Sequence, residues 1–150
     1  MEAKYIYHAS AQWHQDHHGV VELEHGAPRL INFSAPPEFG GESGFWTPEH
    51  FFLTAVASCF AATFRAVAKA SKLDFQGIEV AVDGVIEKEP GGFRFTKINL
   101  KPVAIIFAED ERERAERLLE KAEKLCLVTR SLSCTVELEP KILVDNPVTA

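Results

Sequence analysis

Between Tyr5 and Phe33 apolar and polar positions alternate loosely, with Tyr5 and Tyr7, then Val20, Val21 and Leu23, then Leu30, Ile31 and Phe33. Turn-prone residues interrupt the alternation at 16–19 and 26–28, which predicts three short strands in a meander. Residues 34–46, SAPPEFGGESGFW, are too rich in Pro and Gly to continue a strand and predict a structured loop. A helix start follows: Thr47 suits the N-cap, Pro48 the first helical position, and Glu49 and His50 come next, the acid favourable against the helix dipole. From Phe51 to Ala70 nearly every face of that helix is apolar, with Phe51, Phe52, Leu53, Val56, Phe60, Phe64 and Val67 separated by alanines. A helix apolar all round is expected to be buried. At about 36 Å it is too long for one small domain to enclose, so a partner chain is expected to cover it.

After Asp74 the period returns to two. Ile78, Val80 and Val82, then Phe93, Phe95, Ile98 and Leu100, predict two long antiparallel strands joined by a hairpin at Glu89-Pro90-Gly91-Gly92. Residues 109–126 predict a second, one-sided helix, with Ala115, Leu118, Leu119, Ala122 and Leu125 at spacings of three and four. A final strand is predicted from Leu132 to Val144, with Leu132, Cys134, Val136 and Leu138 on one face. Neither repeats nor low-complexity segments are present.

The chain has 150 residues, which predicts one domain over 1–150, and its 46% hydrophobic content with 11 Phe is enough for a core without metal or disulfide staples. A net charge of −6 argues against nucleic acid as a partner, because phosphate binding needs a basic face. The first ten residues mix Glu2, Lys4 and His8 into the apolar ones, and no uncharged apolar run nears 18 residues, so neither a membrane span nor an export signal is expected and the expected address is the cytoplasm. Cys59, Cys126 and Cys134 are too few and too far apart for a secreted disulfide framework and form no C-x-x-C pair.

Cys59 falls in the middle of the apolar helix and Cys126 at the end of the second, so the two thiols could meet, although each also reads as a small buried hydrophobe. His14, His17 and His18 form H-x-x-H-H, and His8 and His25 lie close by; with no carboxylate or Cys at a ligand spacing, a solvated polar turn is expected rather than a metal site, and no cofactor is called for. The run E-D-E-R-E-R-A-E-R at 109–117 is a solvated helix face with pairs such as Glu113 and Arg117.

The stretch F-G-G-E-S-G-F-W-T-P-E-H-F-F-L-T-A-V-A-S-C-F, followed about 67 residues later by a second Cys at a helix end and then by S-L-S-C-T-V-E-L, resembles the OsmC/Ohr family of thiol peroxidases. The similarity extends over nearly the whole chain, and its most specific block is T-P-E, ten residues before Cys59. The resemblance implies an α+β fold, antiparallel sheets wrapped around two helices, in an intertwined homodimer with a long buried central helix. It also implies reduction of organic hydroperoxides to alcohols: Cys59 would be the peroxidatic thiolate, Cys126 the resolving thiol, an unidentified dithiol the reductant, and Glu49 the acid that orients an Arg near Cys59. Phe39, Phe45, Trp46, Phe52 and Phe60 would form an apolar substrate pocket.

That Arg is absent from the positions where the family carries it, which here read H-Q-D-H-H-G and S-A-P-P-E-F-G-G. Without a cation, burial and Glu49 would both raise the pKa of Cys59. His17, His18, Arg29 and Arg130 are the candidates to supply one. Ten residues at 100° put Glu49 about 280° around and some 15 Å along the helix from Cys59, so sharing one site would need a second copy of the chain or a folded-back turn. The alternative function is a dimer of the same fold that binds a hydrophobic small molecule, or senses redox state, without efficient turnover.

Overall fold

The computed structural model of the protein describes residues 4–12, 19–23 and 30–145. They form an α+β structure that divides into two compact units, 1–52 and 53–150.

In the first unit, β1 (Ala9–Gln12), β2 (Gly19–Leu23) and β3 (Ile31–Phe33) make an antiparallel meander. The first strand lies later than its sequence predicts: exposed Tyr5 and Tyr7 precede it, and pairing begins only where Ala9 meets Leu23. The loop after β3 is tightly folded, its start and end held by a bond from the Ser34 N–H to the Trp46 carbonyl at 2.8 Å. Gly41 makes this possible, because a Cβ there would fall 1.6 Å from the Ala35 carbonyl oxygen.

Helix α1 (Pro48–Ala70) begins as its sequence predicts. The Thr47 hydroxyl caps it by accepting the His50 N–H at 3.1 Å. It ends in a Schellman turn: Lys72, at φ 55°, donates to the Lys69 carbonyl, and Leu73 donates to that of Ala68. The Arg114 guanidinium satisfies the carbonyls of Ser71 and Lys72 beyond it.

Within one chain α1 is not enclosed on every face, as expected of a helix too long for one small domain to surround. Within the chain only Val56, Phe60, Phe64, Val67 and Ala68 of α1 are buried. This is one stripe, reached by Phe75 at the start of the next strand, whose ring meets that of Phe64 edge-on at 5.2 Å. By length and composition α1 would also pass for a membrane span, at a mean hydropathy of 1.7. Of that stretch 28% is buried within the chain.

The second unit is built on β4 (Phe75–Glu89) and β5 (Gly92–Ile106), a long hairpin turning at Pro90-Gly91. Alternate residues of β5 (Ile98, Leu100, Pro102, Ala104 and Ile106) are fully buried on one face. A turn of 3-10 helix at Glu109–Glu111 leads into α2 (Arg112–Leu125), which packs against β5 and the last strand through Ala115, Leu118, Leu119 and Ala122. After α3 (Leu127–Arg130) the chain returns to β5 as β6 (Thr135–Leu138) and β7 (Lys141–Val144).

Both strands run parallel to β5, because the helical crossover brings the chain back in the same direction. The single final strand expected from the sequence is thus two, set end to end along one edge of β5. β6 pairs with 97–100 and β7 with 103–106, and the break falls where Pro102 on one side and Pro140 on the other lack the N–H a continuous ladder requires.

Candidate functional site

Two thiols come together between α1 and the α2–α3 junction. Cys59 is half-buried on α1, one turn before Thr63, whose hydroxyl lies 4.0 Å from its Sγ. Cys126 is fully buried at the single non-helical residue between α2 and α3, with φ −60° and ψ 115°. That break aims the thiol at Cys59, while the Cys126 carbonyl is held by the Arg130 N–H at 3.0 Å and the Thr129 hydroxyl at 3.1 Å. Both cysteines are free thiols, and each acts on the other's ionisation.

Their protonation is asymmetric. Burial pushes Cys59 up, but the Val128 backbone N–H, the Cys126 thiol, the Thr63 hydroxyl and the Leu127 backbone N–H together outweigh it and hold Cys59 below the ordinary thiol value. For Cys126, burial dominates and Cys59 adds to it; the Thr129 N–H and hydroxyl do not compensate, and the thiol stays above its ordinary value. Of the pair, Cys59 is therefore the thiol that ionises first.

The expectation that Cys59 would be raised for want of a cation is thereby corrected. Uncharged donors, two of them main-chain amides at the start of α3, lower it instead. Arg130 is not one of those donors, and His17, His18 and Arg29 lie outside the described residues, as do His14 and His25. Among the described residues there is no cluster able to hold a metal.

Glu49 stands in the first turn of α1, and its Oε2 is buried without a hydrogen-bond partner among the described residues. Of the aromatic residues predicted to bind substrate, Phe45 and Trp46 line an open cavity of about 270 Å³ together with Gly44 and His50. Phe39 is exposed on the 3-10 turn Pro37–Phe39, and Phe52 is half-buried on α1. Phe60 is fully buried in the core, where it presents no surface to a ligand. Cys134 is a half-buried free thiol just before β6.

Sequence reasoning missed Thr63, Thr129 and His50. The first two carried a readable signal, Thr63 at the i+4 spacing from Cys59 and Thr129 three residues after Cys126. The amide donors at Leu127 and Val128 carried none, since every residue but proline has an N–H.

Residues 40–141 match the model of the OsmC-like protein family. The chain is 26% identical over 140 residues to the uncharacterized protein YmaD of Bacillus subtilis (strain 168), covering 91% of this chain and 93% of that protein. Its fold superposes at a TM-score of 0.82 on an OsmC-like protein of unknown function from Vibrio cholerae, at 19% identity, covering 91% of this chain and 99% of the other. It superposes at 0.75 on an organic hydroperoxide resistance protein from Legionella pneumophila, at 26% identity, covering 95% of this chain and all of the other. The protein belongs to the OsmC-like family.

Proposed function

We propose that this protein is a thiol-dependent reductase of organic hydroperoxides, a reading carried by the pairing of Cys59 on α1, held below the ordinary thiol value, with Cys126 at the α2–α3 break, held above it. The name of the Legionella pneumophila neighbour supports the same substrate class.

In the first step the Cys59 thiolate attacks the distal peroxide oxygen. The O–O bond breaks, the alkoxide takes a proton from water and leaves as the alcohol, and Cys59 becomes sulfenic acid. The Val128 and Leu127 amides and the Thr63 hydroxyl stabilise the attacking thiolate. Cys126 then attacks the sulfenic sulfur, forming the Cys59–Cys126 disulfide and releasing water, and an external dithiol reduces the disulfide through a mixed-disulfide intermediate.

Two observations support a second copy of the chain against α1. Most of α1 remains uncovered within one chain, only 28% of its most apolar stretch being buried. Glu49 Oε2 is buried without a donor of its own chain among the described residues, and a partner subunit of a homodimer would supply one. OsmC-like proteins are generally homodimers.

The test is consumption of cumene hydroperoxide by the reduced protein with excess dithiothreitol. Cys59→Ser should abolish it, Cys126→Ser should stop after one turnover with over-oxidation of Cys59, and Cys134→Ser should leave it intact. Equal loss from all three would make the thiols structural. Slow oxidation of the pair without turnover would favour the ligand-binding or redox-sensing reading.

A further inference from the structure

His50 is held in place by a hydroxyl and faces a cavity. The buried Thr47 Oγ1 accepts the His50 backbone N–H at 3.1 Å and lies 2.7 Å from Nδ1 of the same ring. Nδ1 of the ring is thereby taken up by the Thr47 hydroxyl in either sense of that bond, which leaves Nε2 as the ring nitrogen available to a ligand.

The cavity that His50 lines with Gly44, Phe45 and Trp46 is open and aromatic. Its wall is rigid, because the indole of Trp46 stacks on Phe51 with centroids 5.6 Å apart and planes 8° from parallel. Gly44, at φ 89°, places no side chain there. Of the four lining residues only His50 has an ionisable side chain, and its neighbour Glu49 adds a carboxylate to the same end of α1 in a chain of net charge −6. Among the described residues no Lys or Arg lines the cavity to pair with an anion, and an uncharged ligand whose oxygen can meet His50 is matched.

We propose that His50 is a specificity-determining residue: its Nε2 hydrogen-bonds the hydroxyl or hydroperoxyl group of an uncharged ligand whose aryl or branched alkyl body lies against Trp46 and Phe45. Given the hydroperoxide-reductase reading, on which this choice of ligand rests, the occupants are neutral aryl-alkyl hydroperoxides and the alcohols they yield, in preference to hydroperoxides carrying a carboxylate at this end.

The chain has two tryptophans, so Trp13→Phe leaves Trp46 as the fluorescent reporter. In that background the unreactive 2-phenyl-2-propanol is titrated beside isopropylbenzene, which lacks the oxygen, and 2-methyl-2-phenylpropanoate, which carries a charge. The alcohol should bind tightest. His50→Leu should weaken the alcohol about fivefold, the worth of one neutral hydrogen bond, and leave the hydrocarbon unchanged, while His50→Gln, which restores a hydrogen-bonding group, should recover most of the loss. His50 is exposed, and its backbone N–H survives substitution and still donates to the capping Thr47 hydroxyl, so the variants should fold. Equal affinity for alcohol and hydrocarbon, tighter binding of the carboxylate, or no response to His50→Leu overturns the proposal. Hydroperoxide consumption without ligand binding at Trp46 sinks this inference alone, whereas selective alcohol binding without consumption sinks the reductase reading and leaves the His50 site standing.

Discussion

Oxidising the Cys59–Cys126 pair should make the protein markedly harder to unfold. The two positions are 67 residues apart, and a bond between them closes a loop of that length in the unfolded chain. In the chain-entropy account such a loop costs the unfolded state about 4 kcal/mol. Little should be lost to native strain, because the two thiols already act on each other and Cys126 sits at a backbone break rather than inside a helix. With a urea dependence of about 2 kcal/mol/M, the unfolding midpoint should rise by roughly 2 M. The assay compares urea unfolding, followed by circular dichroism, of the fully reduced protein and of protein oxidised with one equivalent of cumene hydroperoxide, with mass mapping of the Cys59–Cys126 link. Repeating it across protein concentrations separates any contribution from subunit association. Cys126→Ser treated identically should show no rise. A mapped link with an unchanged or lowered midpoint would refute the reasoning, since it would mean that closing the bond distorts the helices that carry the two residues.

The alkylation rate of Cys59 should titrate with a midpoint below the ordinary thiol value, and Thr63→Val, by removing a donor to the thiolate, should move it upward; an unchanged midpoint would remove Thr63 from the site. Gly84→Ala should destabilise the protein by about 1–3 kcal/mol in thermal unfolding, because its Cβ would lie 2.6 Å from Phe95 and 2.8 Å from Leu53; a neutral result would mean that both side chains yield freely. Phe64→Ala empties a fully buried position and ends the ring contact with Phe75, for an expected loss of about 3–5 kcal/mol by the same measurement. Sedimentation at micromolar concentration should show a dimer, and a stable folded monomer would remove the partner chain from the account of α1 and Glu49.

Much of the fold was legible because the signals were local. Thr47-Pro48-Glu49 marked the helix start, and strict alternation marked β4 and β5. The split of the last strand was harder to read. Pro140 was visible in the sequence, but its meaning depends on standing opposite Pro102, 38 residues away, which only the β5 pairing reveals. The meeting of Cys59 and Cys126 could be raised from the sequence as a possibility and was strengthened by resemblance. Its electrostatics could not be read in the same way, because the search was for a charged side chain and the groups that lower Cys59 include main-chain amides. His50 was passed over as a neighbour of the helix cap, since its value lies in the Thr47 hydroxyl held against its ring and in a cavity formed by residues of the preceding loop.

The arrangement of β6 and β7 along β5 also bears on how the chain is made. β4 and β5 can zip into a hairpin as soon as both have been synthesised, but the second edge of β5 is completed only by residues 135–144. At about 5–20 residues per second of synthesis, that edge waits several seconds on the ribosome with its amides and carbonyls open to other nascent chains. Lys97, Lys101 and Pro102 lie along this strand, two charges and a missing donor of the kind that discourages edge-to-edge pairing. Replacing them with apolar or β-branched residues would be felt less in the finished protein than in the yield of soluble chains.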